Sequence, residues 1–180
     1  MFDFILENFL IKAQIFNGSK ILNNTLEKDL IELCEFEKTQ EWQLIYRASD
    51  DGFSASSFHS ECDQYSDTLT IVKTTDNRIF GGWTEKGFDL NAIFTNDPNA
   101  FVVSLVDKEK KPFIKKVDNV FAYSDSGPEF IKDNNVFLDI SLSSEREGYF
   151  NTDTVREDMR RGPPETYFTA IDVEVWHKIY

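Results

Sequence analysis

Cysteine and histidine, the residues that bind most metals and carry most thiol chemistry, are scarce in this chain of 180 residues. There are two of each, namely Cys34, Cys62, His59 and His177. Their spacing matches no zinc-binding pattern, so the sequence predicts no metal and no cofactor. Long apolar runs are also missing, and none reaches the ~18 residues of a membrane-spanning helix, so we expect no membrane insertion. The N-terminus, MFDFILENFL, has two acids and no base, unlike a secretion signal, which predicts a reduced, cytoplasmic protein.

Positive charge is the second shortage. Lysine and arginine together number 19, against 32 aspartates and glutamates, which gives a net charge of −13. Proteins that bind the phosphate backbone of nucleic acids, or anionic membrane surfaces, need clustered basic residues. The charge therefore argues against both kinds of partner. It leaves two interpretations open, a surface that is simply solvated or one that favours a basic protein partner.

Phenylalanine, by contrast, is abundant, with 17 copies. Each aromatic side chain buries a large area, and 41% of all residues are hydrophobic. A chain of this length is long enough for one complete hydrophobic core. We therefore predict one folded domain with a core rich in phenylalanine.

The N-terminal third predicts two helices. Apolar residues recur at helical spacing over residues 1–16, which predicts an amphipathic helix or an apolar leader. Asn17, Gly18 and Ser19 interrupt the pattern, so the domain is predicted to cover residues 17–180. A second helix is predicted over residues 25–35, because a capping side chain precedes a one-sided apolar pattern.

From residue 42 onward the apolar period changes to two, which is typical of strands. The segment 49–52 is predicted as a turn and the segment 53–63 as a short helix. Gly81 and Gly82 are predicted to end a hairpin, where they allow a bulge or a close backbone approach. In the last strand, Ile171, Val173 and Val175 are predicted on one face, with Asp172, Glu174 and Trp176 on the other. The predicted strands are 42–47, 69–74, 78–83, 101–106, 112–117, 120–123, 136–142 and 167–176.

Strands and helices do not alternate regularly in this pattern, which argues against a parallel sheet. The sequence therefore predicts an α+β fold, mainly an antiparallel two-sheet β-sandwich with a few short flanking helices.

Several motifs along the chain match a known family in both content and order. The most specific is DGFSASSFH at residues 51–59, followed by Cys62 and Asp63. The others are WQLIYR at 42–47, TLTIVKTT at 68–75, FGGW at 80–83, AFVVSL at 100–105, GPEF at 127–130 and the last strand, with Glu174 at the family's acidic position. Together they cover about residues 19–180, and this part of the chain resembles the TLDc domain, the module of the oxidation-resistance proteins.

The resemblance implies a β-sandwich with short helices, in agreement with the pattern above. It also implies a link to protection against oxidative damage, and binding to the vacuolar-type proton ATPase with modulation of its assembly or activity. No accepted catalytic mechanism accompanies the family, so chemistry has to be argued from the residues of this chain.

One cluster carries residue types that do catalysis. Ser54 and Ser56 precede His59, Cys62 and Asp63, and on a helix His59 could meet either of the latter two. A nucleophile with a histidine base and an orienting acid would permit hydrolysis, and a thiol beside a histidine could react with peroxide. No nucleophile elbow is present, and neighbouring acids disfavour a thiolate. The alternative is that the serines cap the helix, while the histidine and the acid fix it by hydrogen bonds.

Six residues are candidates for structural or partner-binding roles: Ser54, Ser56, His59, Gly81, Gly82 and Glu174. If Glu174 points inward, it needs a donor such as Arg47, Arg78 or His59. We predict a non-catalytic protein-interaction module. Two alternatives stay open, a peroxide-reactive or hydrolytic protein centred on His59 and Cys62, and a scaffold that recruits its partner through the N-terminal helix.

Overall fold

A computed structural model describes residues 14–88, 95–106, 112–132, 135–140, 147–150 and 167–180. These residues form three helices: α1 (Asn24–Cys34), α2 (Ala48–Asp51) and α3 (Ala55–Cys62). The strands are β1 (Glu41–Arg47), β2 (Thr68–Thr74), β3 (Ile79–Thr84), β4 (Thr95–Asn96), β5 (Phe101–Val106), β6 (Phe113–Lys116), β7 (Asn119–Ala122), β8 (Pro128–Lys132), β9 (Asn135–Ile140), β10 (Glu147–Phe150) and β11 (Tyr167–Ile179).

The strands form two antiparallel sheets. The first sheet has the order β1-β11-β2-β3-β5-β6, and the second has the order β4-β7-β8-β9-β10. The long strand β11 joins them, because residues 167–169 pair with β10 while residues 170–179 pair with β2 and β1. The predicted α+β sandwich is therefore confirmed.

Both faces of the first sheet are buried. On β2, Val72 faces the second sheet, whereas Leu69 and Ile71 face the other way. The inner core, between the sheets, includes Tyr46, Phe58, Cys62, Val72, Phe80, Phe88, Val102, Phe130, Leu138, Val173 and Val175. The outer core, on the opposite face, includes Phe16, Ile21, Leu22, Leu30, Trp42, Leu69, Ile71, Trp83, Phe101, Val103 and Trp176.

The outer core is covered by α1 and by residues 14–22, which we call the capping segment. Phe16 lies between Trp42 and Trp176, with ring centroids 5.0 and 5.3 Å away. Helix α1 begins where the Asn23 side chain accepts hydrogen bonds from the backbone of Thr25 and of the residue after it. The helix predicted over residues 25–35 is thus confirmed to within one residue at each end.

Two local predictions were wrong, and three short strands, β4, β8 and β10, were not predicted. Residues 49–51 of the segment predicted as a turn belong to the short helix α2, which closes with a hydrogen bond from the Gly52 amide to the Ala48 carbonyl. Strand β8 begins at Pro128, and proline is tolerated at the first position of a strand. Gly81 and Gly82 lie inside β3 and do not end the hairpin.

The last strand also differs from its predicted alternation. A bulge between Ala170 and Asp172 shifts the register against β2 and leaves Ile171 exposed. Beyond the bulge both faces are buried, so Asp172 and Glu174 lie inside the protein.

The N-terminal prediction is tested only at its end. Residues 15–18 form a turn and not a helix, while residues 1–13 of the predicted segment lie outside the described residues. In the described part of the chain, no helix has the length and apolar character to cross a membrane.

Candidate functional site

The serines of the sequence-predicted cluster hold the start of α3. The Ser54 hydroxyl accepts a hydrogen bond from the backbone amide of Ser57 at 3.0 Å, which is the usual N-cap contact. It also lies 2.9 Å from the hydroxyls of Ser56 and Ser57. No base contacts these hydroxyls in the described residues, so the arrangement caps a helix and does not activate a nucleophile.

His59 ties α3 to the turn between β7 and β8. Its Nδ1 lies 2.7 Å from an Asp63 carboxylate oxygen, and its Nε2 lies 2.7 Å from the Tyr123 carbonyl and 3.1 Å from the Ser126 carbonyl. A ring with acceptors on both sides satisfies both contacts when each nitrogen carries a hydrogen. The structure thus brings His59 and Asp63 together, as the helical spacing predicts. Both ring nitrogens are therefore occupied, Nδ1 by Asp63 and Nε2 by the turn.

Cys62 lies in the inner core with no exposed surface. Burial raises the pKa of its thiol, and the nearby carboxylates of Asp63, Glu61 and Asp51 raise that pKa further. Cys34, beside the outer core, has a pKa raised to about 12, also through burial. Neither thiol has the lowered pKa and the access that a reactive cysteine needs.

We predict that Cys62 resists alkylation in the folded protein. At neutral and mildly alkaline pH, iodoacetamide should modify Cys62 only as fast as the chain opens, because its thiolate is disfavoured and its side chain is fully buried, whereas the half-buried Cys34 should react slowly because burial raises the pKa of its thiol. Mass spectrometry of the folded protein and of the same protein in urea measures the difference. Rapid, saturable oxidation of Cys62 by dilute peroxide in the folded protein would restore the peroxide-reactive hypothesis.

Glu174, on β11, is the centre of a second polar cluster. Its side chain is fully buried and accepts four hydrogen bonds. They come from the Ser19 hydroxyl at 2.6 Å, the Lys20 amide at 2.7 Å, Arg47 Nε at 3.1 Å and Trp176 Nε1 at 3.2 Å. Of the three donors that the sequence suggests, only Arg47 is used.

The Glu174 cluster attaches the capping segment to the first sheet. Arg47 also donates to the Gly18 carbonyl and, at 3.0 Å, to Asp50. Lys20 pairs with the same Asp50, and these two hydrogen bonds hold the pKa of that carboxyl below its usual range. Every strong donor in the cluster therefore belongs either to the capping segment or to a strand beneath it. The hydrogen bonds thus hold the capping segment against the first sheet.

Among the other buried acids, none of which was singled out from the sequence as a candidate, two join separate elements of the fold. Asp97 accepts from the Thr84 hydroxyl at 2.7 Å and from the Glu85 amide at 2.7 Å, which joins β4 to the end of β3. Asp172 accepts from both the amide and the hydroxyl of Ser49 at the start of α2. For Asp172 the available signal was an acid between two apolar residues of the last strand, whereas Asp97, between an asparagine and a proline, has no such signal.

A pair of acids, also missed from the sequence, lies across neighbouring strands of the second sheet. Glu129 on β8 stands directly opposite Asp139 on β9. Partial burial, with a smaller contribution from Asp139, raises the pKa of Glu129 to about 7. Like charges at opposed positions destabilise a sheet, so this pair makes the fold depend on pH.

The sign of that dependence follows from the raised pKa. The folded protein holds the Glu129 proton more tightly than the unfolded chain does, so its contribution is complete below the unfolded pKa and is lost as pH rises through about 7. We predict that Glu129→Gln raises the free energy of unfolding by on the order of 2 kcal/mol near pH 8 and changes little near pH 4. Urea unfolding between pH 4 and pH 8 measures the change in the free energy of unfolding, with Glu37→Gln as the exposed control. Equal effects at both ends would contradict the prediction.

Among the residues that the structure describes, no three His, Cys, Asp or Glu side chains are placed to hold a metal ion together. The comparisons with known proteins point to one family. The sequence model of the TLDc domain matches residues 15–178, nearly the whole chain. No curated protein sequence matches this chain significantly.

Proposed function

Because the chain belongs to the TLDc domain family, we propose that it is a non-catalytic protein-interaction module of the cytoplasm that binds the vacuolar-type proton ATPase and contributes to oxidative-stress resistance. The proposal that the module is non-catalytic rests on the surroundings of Cys62 and His59, the candidate catalytic residues. Cys62 is fully buried, and both ring nitrogens of His59 are hydrogen-bonded to the fold. A nucleophile with a free base within reach, which hydrolysis would need, is not assembled there.

The region around α3 supports binding in place of catalysis. Tyr123, in the turn between β7 and β8, has 52% of its surface exposed. Its backbone carbonyl is fixed, since it accepts hydrogen bonds from His59 and from the Ser126 amide. An exposed tyrosine on a rigid turn loses little freedom when a partner covers it, and tyrosines are frequent among the residues that dominate interface energies.

The charge around this tyrosine indicates the kind of partner surface. Glu61 on α3 and Asp125 in the turn are exposed, and no lysine or arginine lies among residues 48–67 or 117–131. The net charge of −13 adds a long-range attraction to basic surfaces. We place the partner contact on α3 and the β7–β8 turn, with Tyr123 as its anchor and a basic patch of the pump opposite.

The test is a binding assay with a matched pair of variants. The purified chain is titrated against the cytosolic sector of the vacuolar-type ATPase from the same source, and complex formation and ATP hydrolysis are both measured. Tyr123→Ala should weaken binding by at least about ten-fold. Tyr167→Ala is the control, because Tyr167 is equally exposed, at 51%, but belongs to β11.

Each outcome has a definite meaning. Loss of binding in Tyr123→Ala alone supports the proposed contact. If saturating protein neither binds the pump nor alters ATP hydrolysis, the pump is not the partner of this chain. The scaffold alternative depends on the N-terminal segment 1–16, of which residues 1–13 lie outside the described part, and it stays a prediction that removal of residues 1–13 would test.

A further inference from the structure

We propose that Asn17 and Gly18, in the capping segment, form a site of spontaneous deamidation, and that the isoaspartate it produces loosens this segment from the first sheet. The substrate is the asparagine side chain itself, and the only other reactant is water. Asn17 is the one asparagine of the chain that a glycine follows. The inference does not depend on the proposed contact with the pump, which lies on α3 and the β7–β8 turn.

The reaction joins the backbone of Gly18 to the side chain of Asn17, and asparagine is one of the thermolabile residues of proteins. The Gly18 amide nitrogen loses its proton to water and forms a bond to Asn17 Cγ, while the carboxamide C–N bond breaks and ammonia leaves. One water molecule then opens the succinimide ring. Opening at the main-chain carbonyl gives isoaspartate, and opening at Cγ gives aspartate. Neither product involves oxidation or reduction.

Gly18 leaves the attacking nitrogen accessible. A glycine has no side chain to crowd its own amide nitrogen, and it takes backbone conformations that other residues rarely adopt. The φ of Gly18 is +85°, and a Cβ atom built at this position would have no atom within 4 Å. The nitrogen can therefore be approached without a clash on this side of the residue.

The turn that contains the two residues has little to restrain it. The Ser19 amide donates to the Phe16 carbonyl at 3.1 Å, with Asn17 and Gly18 at the centre of the turn and exposed. Among the described residues, neither the Asn17 carboxamide nor the Gly18 amide has a hydrogen-bond partner. The reaction thus requires only a rotation within an exposed turn, and such turns open at a small cost in free energy.

The position of Asn17 gives the modification a structural consequence, because it lies between two anchors of the capping segment. On one side, Phe16 is buried in the outer core. On the other, the Ser19 hydroxyl and the Lys20 amide donate to Glu174 at 2.6 and 2.7 Å. Any change in the length of the main chain at residue 17 therefore acts on both anchors.

Isoaspartate makes that change. Its main chain runs through Cβ and Cγ, which adds one carbon–carbon bond of about 1.5 Å between Phe16 and Gly18. Protein interiors are close-packed, so we expect one anchor to shift and the turn to lose its closing hydrogen bond. Aspartate, the other product, keeps the normal main chain and adds only an exposed negative charge. Because no enzyme is needed, the modified fraction grows with the age of the molecule.

The chemistry is tested on the full chain, kept folded near neutral pH at physiological temperature. Trypsin releases residues 13–20 as one peptide, in which mass spectrometry measures the conversion of amide to acid. We expect Asn17 to react within about ten-fold of its rate in a synthetic peptide of residues 13–20. It should also react at least about ten-fold faster than any other asparagine, since the others precede residues with side chains. A rate more than about a hundred-fold below that of the peptide would overturn the proposed site, because the fold would then protect it.

The structural effect is tested by limited digestion of aged protein, which anion exchange separates from the unmodified chain by its extra charge. Fragment-ion spectra measure its isoaspartate content, because only isoaspartate has the Cα–Cβ bond in its main chain. We expect trypsin to cut the isoaspartate form after Lys20 at least about ten times faster than the fresh protein. Asn17→Asp is the matched control, with the same charge and a normal main chain, and should be cut within about two-fold of the fresh rate. Equal cleavage of the isoaspartate form and Asn17→Asp would overturn the loosening of the capping segment.

Discussion

Replacing Gly81 by alanine should leave little folded protein. A Cβ atom at this position would overlap the carbonyl oxygen of Thr70 on the neighbouring strand and lie 3.0 Å from Ile71 Cδ1. The Thr70 carbonyl belongs to the backbone of β2, so no side-chain rotation can relieve the overlap. The β2–β3 ladder would have to separate at the centre of the first sheet. We expect a loss of more than about 4 kcal/mol, a large part of the stability of an ordinary domain.

Urea unfolding, followed by tryptophan fluorescence, measures the Gly81→Ala effect. Gly87→Ala is the matched control, because the nearest atom to its added methyl group is the Tyr65 carbonyl oxygen at 3.2 Å. A shift of a few tenths of an ångström accommodates that contact, so we expect a loss of roughly 1 kcal/mol or less. A Gly81→Ala protein as stable as Gly87→Ala would show that β2 and β3 are farther apart than described.

At the neighbouring Gly82, a side chain and not the backbone stands in the way of an added methyl group. A Cβ at Gly82 would meet the ring of Phe130, with Cε1 at 2.6 Å, across the interface between the two sheets. Here the obstacle is a side chain, although one that is fully buried. Gly82→Ala should therefore destabilise the protein by about 2–4 kcal/mol, and adding Phe130→Leu should recover part of the loss. No such rescue exists for Gly81→Ala.

These two glycines show what periodicity can and cannot predict. The paired glycines in FGGW indicated a close approach of some kind, but the alternation of residues does not say what approaches. The obstacles, Thr70 and Phe130, come from a neighbouring strand and from the opposite sheet. Both contacts depend on non-local pairing, which the local pattern does not contain.

The same limit applies to the buried acid of β11. The sequence offered Glu174 three possible donors, and each lies in a different element. The choice is made by the antiparallel register of β1 and β11, which places Arg47 directly opposite Glu174. Arg78 is instead held by Asp76 and the Tyr167 carbonyl, and His59 by the turn after β7. Short-range patterns predicted β1 and β11 themselves, but the partner of Glu174 depends on the pairing of these two strands.

Loss of the Glu174 charge should be the second most damaging change to the protein. In Glu174→Gln, the buried Arg47 guanidinium loses its buried carboxylate and keeps only the half-exposed Asp50 as an ion-pair partner, and the Ser19 hydroxyl and the Lys20 amide lose a charged acceptor. Breaking a buried ion pair from one side costs about 3–5 kcal/mol, since the other charge remains desolvated. Urea unfolding measures this loss. Glu41→Gln, at the exposed start of β1, should change the stability by less than about 0.5 kcal/mol.

If the Glu174 cluster holds the capping segment, the substitution should open this segment locally and not only lower the stability of the whole protein. Glu174 joins the capping segment to the first sheet, so the segment should open before the sheets do. Below the urea concentration of the unfolding midpoint, trypsin should then cut Glu174→Gln after Lys20 at least about ten times faster than the original chain. Cleavage after Lys73, inside β2, should stay slow in both proteins.

The double change Arg47→Met with Glu174→Gln should be less destabilising than the sum of the two single changes, because no unpaired charge remains buried. Additive losses with unchanged cleavage after Lys20 would mean that the capping segment is held mainly by Phe16 and its aromatic neighbours, and not by the carboxylate beneath it.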